Sequence, residues 1–166
     1  MFAYTHPDLT ASVVCIDGVS ELDPLLRAAA EAWKAAALVD PVVFYKTIVP
    51  WNYSSAYIGA NSGTLARREA GVAGFPRGYF LDFAALCDAF LALDMTPEIA
   101  RISCPTLVLV GELDILKHAG FARIIATAVS GALLRVIPAA GHAVVIEQPE
   151  EVLAVVQGFL AGLGRP

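Results

Sequence analysis

The sequence predicts an α/β fold in which about three parallel strands form a sheet with helices on its faces. The last third of the chain alternates strand and helix, with a strand over 105–111, a helix over 119–129, a strand over 132–138 and a helix over 149–164. Short connections between such elements are typical of parallel sheets with right-handed crossovers. The apolar, β-branched segment 10–17 predicts a further buried strand near the start of the chain.

The last helix shows the clearest apolar stripe. Its first turn carries Glu150 and Glu151, where the helix dipole favours negative charge. Gly164 is predicted to end it. The residues expected on the buried stripe are Val152, Val155, Val156, Phe159, Leu160 and Leu163.

Between about 19 and 100 the pattern is helical and rich in alanine, with no strand signal. Asp23-Pro24 and Asp40-Pro41 each place an N-cap residue before a proline, which is typical of a helix start. Pro50 is expected to stop the second of these helices, and residues 51–63 have the composition of an aromatic loop. We therefore predict two parts: a core made of 1–18 and 97–166, and a helical insert over 19–96.

The composition limits the function classes. Of the 166 residues, 57% are hydrophobic and 16% are charged, and the net charge is −5 without a basic cluster. A nucleic-acid partner is therefore not expected. No apolar run reaches the ~20 residues that a bilayer needs, and the start does not resemble a signal peptide, so neither a membrane partner nor export is expected. The excess of apolar residues instead predicts association with another chain or a second copy.

The three cysteines, Cys15, Cys87 and Cys104, are widely spaced and do not form a metal-binding pair. Reduced thiols in a cytoplasmic protein are the expected state. Neither a metal ion nor a cofactor is predicted.

Two residues at predicted strand ends suggest catalysis. Asp114 follows the strand over 105–111, and His142 follows the strand over 132–138. The carboxyl ends of parallel strands meet at one edge of a sheet, where functional groups gather. There a carboxylate can orient a histidine and stabilise its protonated form. Gly141 would permit a tight turn before the histidine. Glu112 is the alternative acid, and a capping or core position is the alternative for His142.

These segments resemble a known family. "ISCPTLVLVGELD" followed by "IPAAGHAVVIEQPEEV" is similar to the acid strand and histidine loop of the α/β-hydrolase superfamily. "FAYTHPDLTASVVCIDG" resembles the helix end and sixth strand of that fold. "DPLLRAAAEAWKAAA" and "VPWNYSSAYI" resemble the helical cap of enol-lactonase-like and esterase-like members.

The resemblance implies a partial α/β-hydrolase fold, its C-terminal half, with a helical cap over 19–96. Asp114 would be the acid of the catalytic triad and His142 its general base. Trp51, Tyr53 and Tyr57 in the cap would line an apolar acyl pocket. The implied reaction is hydrolysis of a carboxylic ester or lactone, although epoxide hydrolases and dehalogenases use the same acid and base positions.

The nucleophile of the family lies in a G-x-S-x-G turn after the fifth strand, upstream of the segments matched here. We therefore expect these 166 residues to lack the first five strands, the nucleophile and both oxyanion donors. Ser62 in "GANSG" occupies the wrong position of that motif. Structural or solvent-facing roles are expected for the remaining candidate serines, one thiol and two histidines: Ser54, Ser55, Ser20, Cys15, His6 and His118.

An isolated chain of this kind is expected to be nearly inactive toward esters. The missing nucleophile could be Ser, Cys or Asp, and a partner chain supplying the N-terminal half could bring it. Alternatively, the strand over 10–17 could pair with a second copy and give a homo-oligomer. Two further hypotheses stay open: a non-catalytic binding or assembly module derived from a hydrolase, and a truncated gene product.

Overall fold

A computed structural model describes residues 2–163 of the chain. Its helices are α1 (Phe2–Thr5), α2 (Pro24–Val39), α3 (Pro41–Asn52), α4 (Ser55–Ala60), α5 (Ser62–Val72), α6 (Arg77–Leu91), α7 (Thr96–Ile99), α8 (Ala119–Ala128), α9 (Val144–Glu147) and α10 (Pro149–Gly162), and its strands are β1 (Val13–Ile16), β2 (Thr106–Gly111) and β3 (Leu133–Ile137). A 3-10 turn spans Pro7–Leu9.

The chain divides into two compact units. The core unit contains the residues up to Glu21 and those from Asp94 onward, and the helical unit is Leu22–Leu93. Among the described residues, two hydrophobic clusters lie in the core unit and a third lies in the helical unit.

The three described strands form one parallel sheet in the order β1-β2-β3. Val13 pairs with Thr106 at the start of β1, and Gly111 pairs with Ile137 at the end of β2. The predicted fold class, parallel strands with flanking helices, is therefore confirmed. Each predicted strand is present, and each observed strand begins after its predicted start and ends at or just before its predicted end.

The central strand β2 is buried along its whole length and carries the core on both faces. Val108 and Val110 pack with α8 on one face. Leu107 and Leu109 pack against Val144 and the α10 helix on the other. This alternation follows from the two-residue period of a strand, and it explains why β2 reads as a continuous apolar run.

Helix α10 covers the second face with only part of its predicted stripe. Val152 is buried, and Val155, Val156 and Phe159 pack against the same cluster. Leu160 and Leu163 were expected on the buried stripe but are 47% and 38% exposed. The helix extends past the cluster that buries its first three turns, and the predicted end at Gly164 lies outside the described residues.

The helical unit starts its first two helices as the sequence predicts. Asp23 accepts a hydrogen bond from the Leu26 N–H, and Asp40 accepts from Val42 and Val43. Such N-caps satisfy amide groups that have no partner inside the helix. The core of this unit forms around Phe44, which is 2% exposed.

Two predictions within this unit are wrong. Pro50 does not end α3, which continues to Asn52 with the proline in its last turn. The segment expected as a loop is largely helical: Ser54 caps α4 by accepting from the Tyr57 N–H at 3.2 Å, and α5 follows at Ser62. The glycine and serine content of this segment suggested a loop, but the Ser54 cap starts α4 there, and the helix includes Ser55 and Gly59.

Within residues 2–163 no helix has both the length and the apolar character needed to cross a bilayer.

We predict that Leu109→Ala lowers the free energy of unfolding by about 2–5 kcal/mol, because the side chain is fully buried between the sheet and the helices of one face. Urea denaturation followed by circular dichroism measures this change. The control is Leu153→Ala on α10, whose side chain is 56% exposed and should matter by less than about 1 kcal/mol. Equal effects of the two substitutions would contradict the assigned core.

Candidate active site

The loop after β2 holds Asp114 in a fixed, buried position. The Asp114 N–H donates to the Gly111 carbonyl at 3.2 Å, which closes a turn directly after the strand. Its Oδ1 accepts hydrogen bonds from the backbone N–H groups of Leu116 and Lys117, both at 2.8 Å. Asp114 is 4% exposed. These amide donors satisfy one carboxylate oxygen and leave Oδ2 for another partner.

The loop after β3 is tied to the same place by backbone hydrogen bonds. The Glu112 N–H donates to Ile137 O and the Leu113 N–H donates to Ala140 O, each at 2.8 Å. Ala139 occupies the left-handed region with φ 55°, and its N–H donates to Glu112 Oε2 at 3.0 Å. The left-handed position of this turn is thus Ala139 and not the predicted Gly141. Glu112, the alternative acid, supports the turn.

This connection brings the two predicted catalytic residues together. His142 Nδ1 lies 3.0 Å from Asp114 Oδ2. The Asp114 side chain is fully buried, whereas 17% of the His142 side chain is exposed. Since a carboxylate can only accept, the histidine donates through Nδ1–H. Nε2 is then the ring nitrogen that can accept a proton.

Gly111 permits the close approach of the two loops. A Cβ atom at this position would lie 2.3 Å from Gly141 O and 2.5 Å from Ala140 O. Backbone atoms cannot move away as a flexible side chain can, so any larger residue would push the histidine loop from the strand end. The strand that carries Asp114 therefore needs glycine at its last position.

A third ionisable residue, Asp17, lies at the same edge of the sheet. It directly follows β1, is 7% exposed and adopts φ 47°, a left-handed conformation that Asp tolerates better than most residues. Its N–H donates to Leu109 O at 2.9 Å, and its Oδ1 accepts from the Gly111 N–H at 3.2 Å. Asp17 was not predicted from the sequence, although its place after a strand is the signal that identified Asp114 and His142.

Burial raises the pKa of Asp17 to about 6 from its ordinary 3.8. The neighbouring His142 charge and the backbone N–H groups of Gly111 and Val144 act against this increase, and the Asp114 charge adds to it. Burial lowers the pKa of Lys117, and the negative charges of Asp114 and Asp17 partly offset this decrease. Two carboxyl groups, an imidazole and an amine therefore interact electrostatically at this edge of the sheet.

The donor atoms of Asp17, Asp114 and His142 all lie within 4.8 Å of one another. A carboxylate pair with an imidazole could by composition hold a divalent cation. However, Asp114 Oδ2 and His142 Nδ1 are bonded to each other, and the other Asp114 oxygen is bonded to two amides. We therefore assign these groups to a hydrogen-bonded acid–histidine arrangement and not to a metal centre.

The aromatic residues predicted to bind substrate all lie in the helical unit. Tyr53 and Tyr57 stack with ring centroids 4.8 Å apart, and the Tyr53 hydroxyl oxygen accepts from Arg68 at 2.9 Å. Trp51 packs edge-on against Trp33 at 6.1 Å. These contacts show a half-buried aromatic cluster, and a substrate-binding role for it stays a prediction.

The serines and the thiol that the sequence offered as possible nucleophiles have local structural surroundings. Ser62 begins α5 and Ser54 caps α4, both in the helical unit. Ser20 Oγ lies 2.7 Å from Thr96 Oγ1, in a network that includes Glu21. Burial raises the pKa of the Cys15 thiol within β1, which disfavours its nucleophilic thiolate form.

The two other histidines are exposed and serve locally. His6 Nδ1 lies 2.8 Å from the Thr5 hydroxyl, and the ring stacks on Phe2. His118 accepts a hydrogen bond from the Gly120 N–H at 3.0 Å at the start of α8.

We compared the chain with known protein families and solved structures. No family model matches the chain. Among solved structures, an α/β hydrolase enzyme, MGS-M2, from a Medee basin deep-sea metagenome library is similar with a TM-score of 0.89 and 23% identity, over 96% of this chain and 59% of that chain. The enol-lactonase from Burkholderia xenovorans LB400 is similar with a TM-score of 0.81 and 22% identity, over 96% and 60%. This chain has the fold of the C-terminal part of an α/β-hydrolase.

A thermophilic esterase from Thermogutta terrifontis shares the hydrolase fold with a TM-score of 0.79 and 20% identity, over 99% of this chain and 60% of that chain. The present chain thus spans about 60% of the length of these hydrolases. The fold resemblance predicted from the acid strand, the histidine loop and the cap segments is confirmed.

We predict that Gly111→Ala lowers the free energy of unfolding by about 1–3 kcal/mol, because the added methyl group would overlap backbone oxygens of the histidine loop. Urea denaturation measures the change. Gly158→Ala on α10 is the matched control, since a Cβ there meets nothing within 4 Å, and alanine should be neutral or stabilising by up to about 1 kcal/mol. A neutral Gly111→Ala substitution would contradict the close approach described above.

Proposed function

We propose that this chain supplies the acid and the general base of a hydrolase that cleaves a carboxylic ester or lactone. The observation that supports this proposal is the Asp114–His142 hydrogen bond at the carboxyl edge of a parallel sheet. The buried acid fixes the tautomer of a partly exposed histidine, which is what a general base in acyl transfer requires. The likeness to an enol-lactonase and an esterase supports the choice of reaction.

In the proposed reaction, His142 Nε2 takes the proton of the nucleophile as that group attacks the substrate carbonyl carbon. The protonated imidazole is stabilised by Asp114 through Nδ1–H. The proton then passes from Nε2 to the leaving oxygen as the acyl–oxygen bond breaks. In the second half-reaction His142 Nε2 takes a proton from water as the water oxygen attacks the acyl carbon. The bond between the acyl group and the nucleophile then breaks, and the proton returns from Nε2 to the nucleophile, which releases the acid product.

We infer that the nucleophile comes from a segment outside these 166 residues. Ser54 caps α4, Ser62 is the first residue of α5, and Ser20 belongs to a local network with Thr96. Cys15 lies within β1, where burial raises the pKa of its thiol. Ser, Cys and Asp remain candidates for the nucleophile. With an Asp nucleophile, His142 would instead activate the water that cleaves the covalent intermediate.

The side chains beside the two catalytic candidates favour an apolar partner or substrate. Leu113 and Ile115 flank Asp114 and are 47% and 57% exposed, and Val145 and Ile146 follow His142 at 50% and 44%. Exposed apolar residues gathered around a polar pair are typical of a binding surface. We further propose that the helical unit is the cap of the enzyme and that Trp51, Tyr53 and Tyr57 contact the acyl group.

The open edge of β1 is the proposed place of association. Within the described residues β1 pairs on one side with β2, and all four of its residues are half-buried, whereas β2 is fully buried. Such an edge offers backbone groups to another strand. We propose that it pairs with a strand of the nucleophile-bearing segment or, failing that, with a second copy of this chain.

Free thiols at Cys15, Cys87 and Cys104 favour a reducing, cytoplasmic location.

A non-catalytic role is the second candidate. The many exposed large apolar side chains support an assembly or binding module that kept the hydrolase fold. The two proposals differ in whether hydrolysis depends on His142.

We predict that the isolated chain hydrolyses p-nitrophenyl butyrate at close to the buffer rate. Activity should appear when a segment carrying the G-x-S-x-G turn, for which the DNA upstream of Met1 is the first place to search, is co-expressed. In that complex His142→Ala should reduce kcat by about 10³–10⁴ or more, because the triad residues act as a unit. His118→Ala, at an exposed histidine of the same unit, is the control.

Ordinary esterase activity of the isolated chain, or its labelling by a fluorophosphonate probe, would refute the inferred external nucleophile. An active complex that does not respond to His142→Ala would refute the proposed base and leave the assembly role.

We also predict that the isolated chain associates at micromolar concentrations, because an open strand edge and apolar side chains beside the site are exposed. Light scattering over a concentration series measures the mass. Ile115→Glu should weaken association, and Leu86→Glu, at a 68% exposed residue of the helical unit, should not. A monomeric mass at all concentrations would speak against this surface.

A further inference from the structure

Asp17 is a buried carboxylate that the acid–base pair described above does not use. One of its carboxylate oxygens lies within 4.8 Å of a carboxylate oxygen of Asp114 and of a ring nitrogen of His142. The residue is held in a left-handed conformation at the end of β1, and Gly111 N–H fixes one of its oxygens. Burying a second carboxylate beside the first is unfavourable unless a positive charge lies close to both. A protonated His142 would be such a charge.

We propose that Asp17 is a positioning residue for His142: a second carboxylate that, together with Asp114, stabilises the histidine once it has accepted a proton. The inference rests on the proposed role of His142 as general base. Asp114 holds Nδ1–H directly, whereas Asp17 acts through space from the β1 end of the same edge. The proton moves from the nucleophile to Nε2, and neither carboxylate has to accept it.

The surroundings of Asp17 are consistent with this role. The ionisable groups that face it are Cys15 from β1, Asp114 and Lys117 from the segment after β2, and His142 from the loop after β3. Burial raises the pKa of Asp17 to about 6, and the positive charge of His142 lowers it. Above that pH Asp17 is ionised and can stabilise the imidazolium; as the pH falls below it, Asp17 becomes protonated and this stabilisation is lost.

Asp17→Asn separates the electrostatic role from a structural one. Asparagine keeps one side-chain oxygen that can accept from the Gly111 N–H. It removes the charge and the second acceptor oxygen of the carboxylate, to which the Val144 N–H also donates. Asp8→Asn is the control with the same charge change, since Asp8 is exposed in the 3-10 turn near the start of the core unit. Asp114→Asn and the double substitution complete a cycle.

The test is an NMR titration of the His142 ring in the isolated chain, with the signal assigned by its loss in His142→Gln. It needs no activity, so its result is independent of whether the nucleophile is found. We expect Asp17→Asn to lower the His142 midpoint by about one pH unit, Asp8→Asn to leave it within about 0.2, and the double variant to lie below Asp114→Asn. A midpoint unchanged by Asp17→Asn, or a double variant equal to Asp114→Asn, would overturn the proposal.

A second measurement on the unsubstituted chain keeps the test decisive if Asp17→Asn does not fold. The carboxyl carbon of Asp17, followed by ¹³C NMR, should titrate near pH 6 and show a further inflection at the His142 midpoint, because the two groups titrate as a coupled pair. A single inflection near pH 4, without response to His142, would overturn the proposal.

Discussion

The parallel pairing of three strands fixes the site, because it brings the carboxyl ends of β1, β2 and β3 to one edge of the sheet. Asp17, Asp114 and His142 each follow one of these ends. Gly111 completes the arrangement, since the carbonyl oxygens of the histidine loop lie where its side chain would be. A shift of register or a larger residue at this point would separate groups that are far apart in sequence.

The electrostatics of the site follow from this geometry. Two carboxylates are withdrawn from water, which is unfavourable unless hydrogen bonds and positive charge compensate. Asp114 is compensated by two backbone N–H groups and the His142 ring. Asp17 is less well compensated, as its raised pKa shows. Because the pKa of Asp17 is about 6 in the folded chain and 3.8 ordinarily, the contribution of this residue to stability is lost as the pH rises through that range.

Much of the fold could be predicted from the sequence. A strand that is buried on both faces, such as β2, needs a continuous apolar run, and a helix that packs on a sheet, such as α10, needs an apolar stripe. The same strand-end reasoning placed Asp114 beside His142, and their catalytic roles stay predictions. Asp17 follows a strand as Asp114 does, but its proposed role depends on residues more than 90 positions away, so its own segment does not reveal it. The segment after Pro50 was misjudged because its glycine and serine content suggests a loop, whereas the Ser54 cap starts a helix there.

The proposed chemistry depends most on buried Asp114 holding His142 as the Nδ1–H tautomer, with Nε2 free to accept a proton. A long-range ¹H–¹⁵N correlation spectrum of the isolated chain, recorded at a pH where the ring is neutral, reads this tautomer directly. The Asp114–His142 hydrogen bond predicts a protonated Nδ1 and an unprotonated Nε2 for His142. A dominant Nε2–H tautomer, or an equal mixture of both, would contradict it.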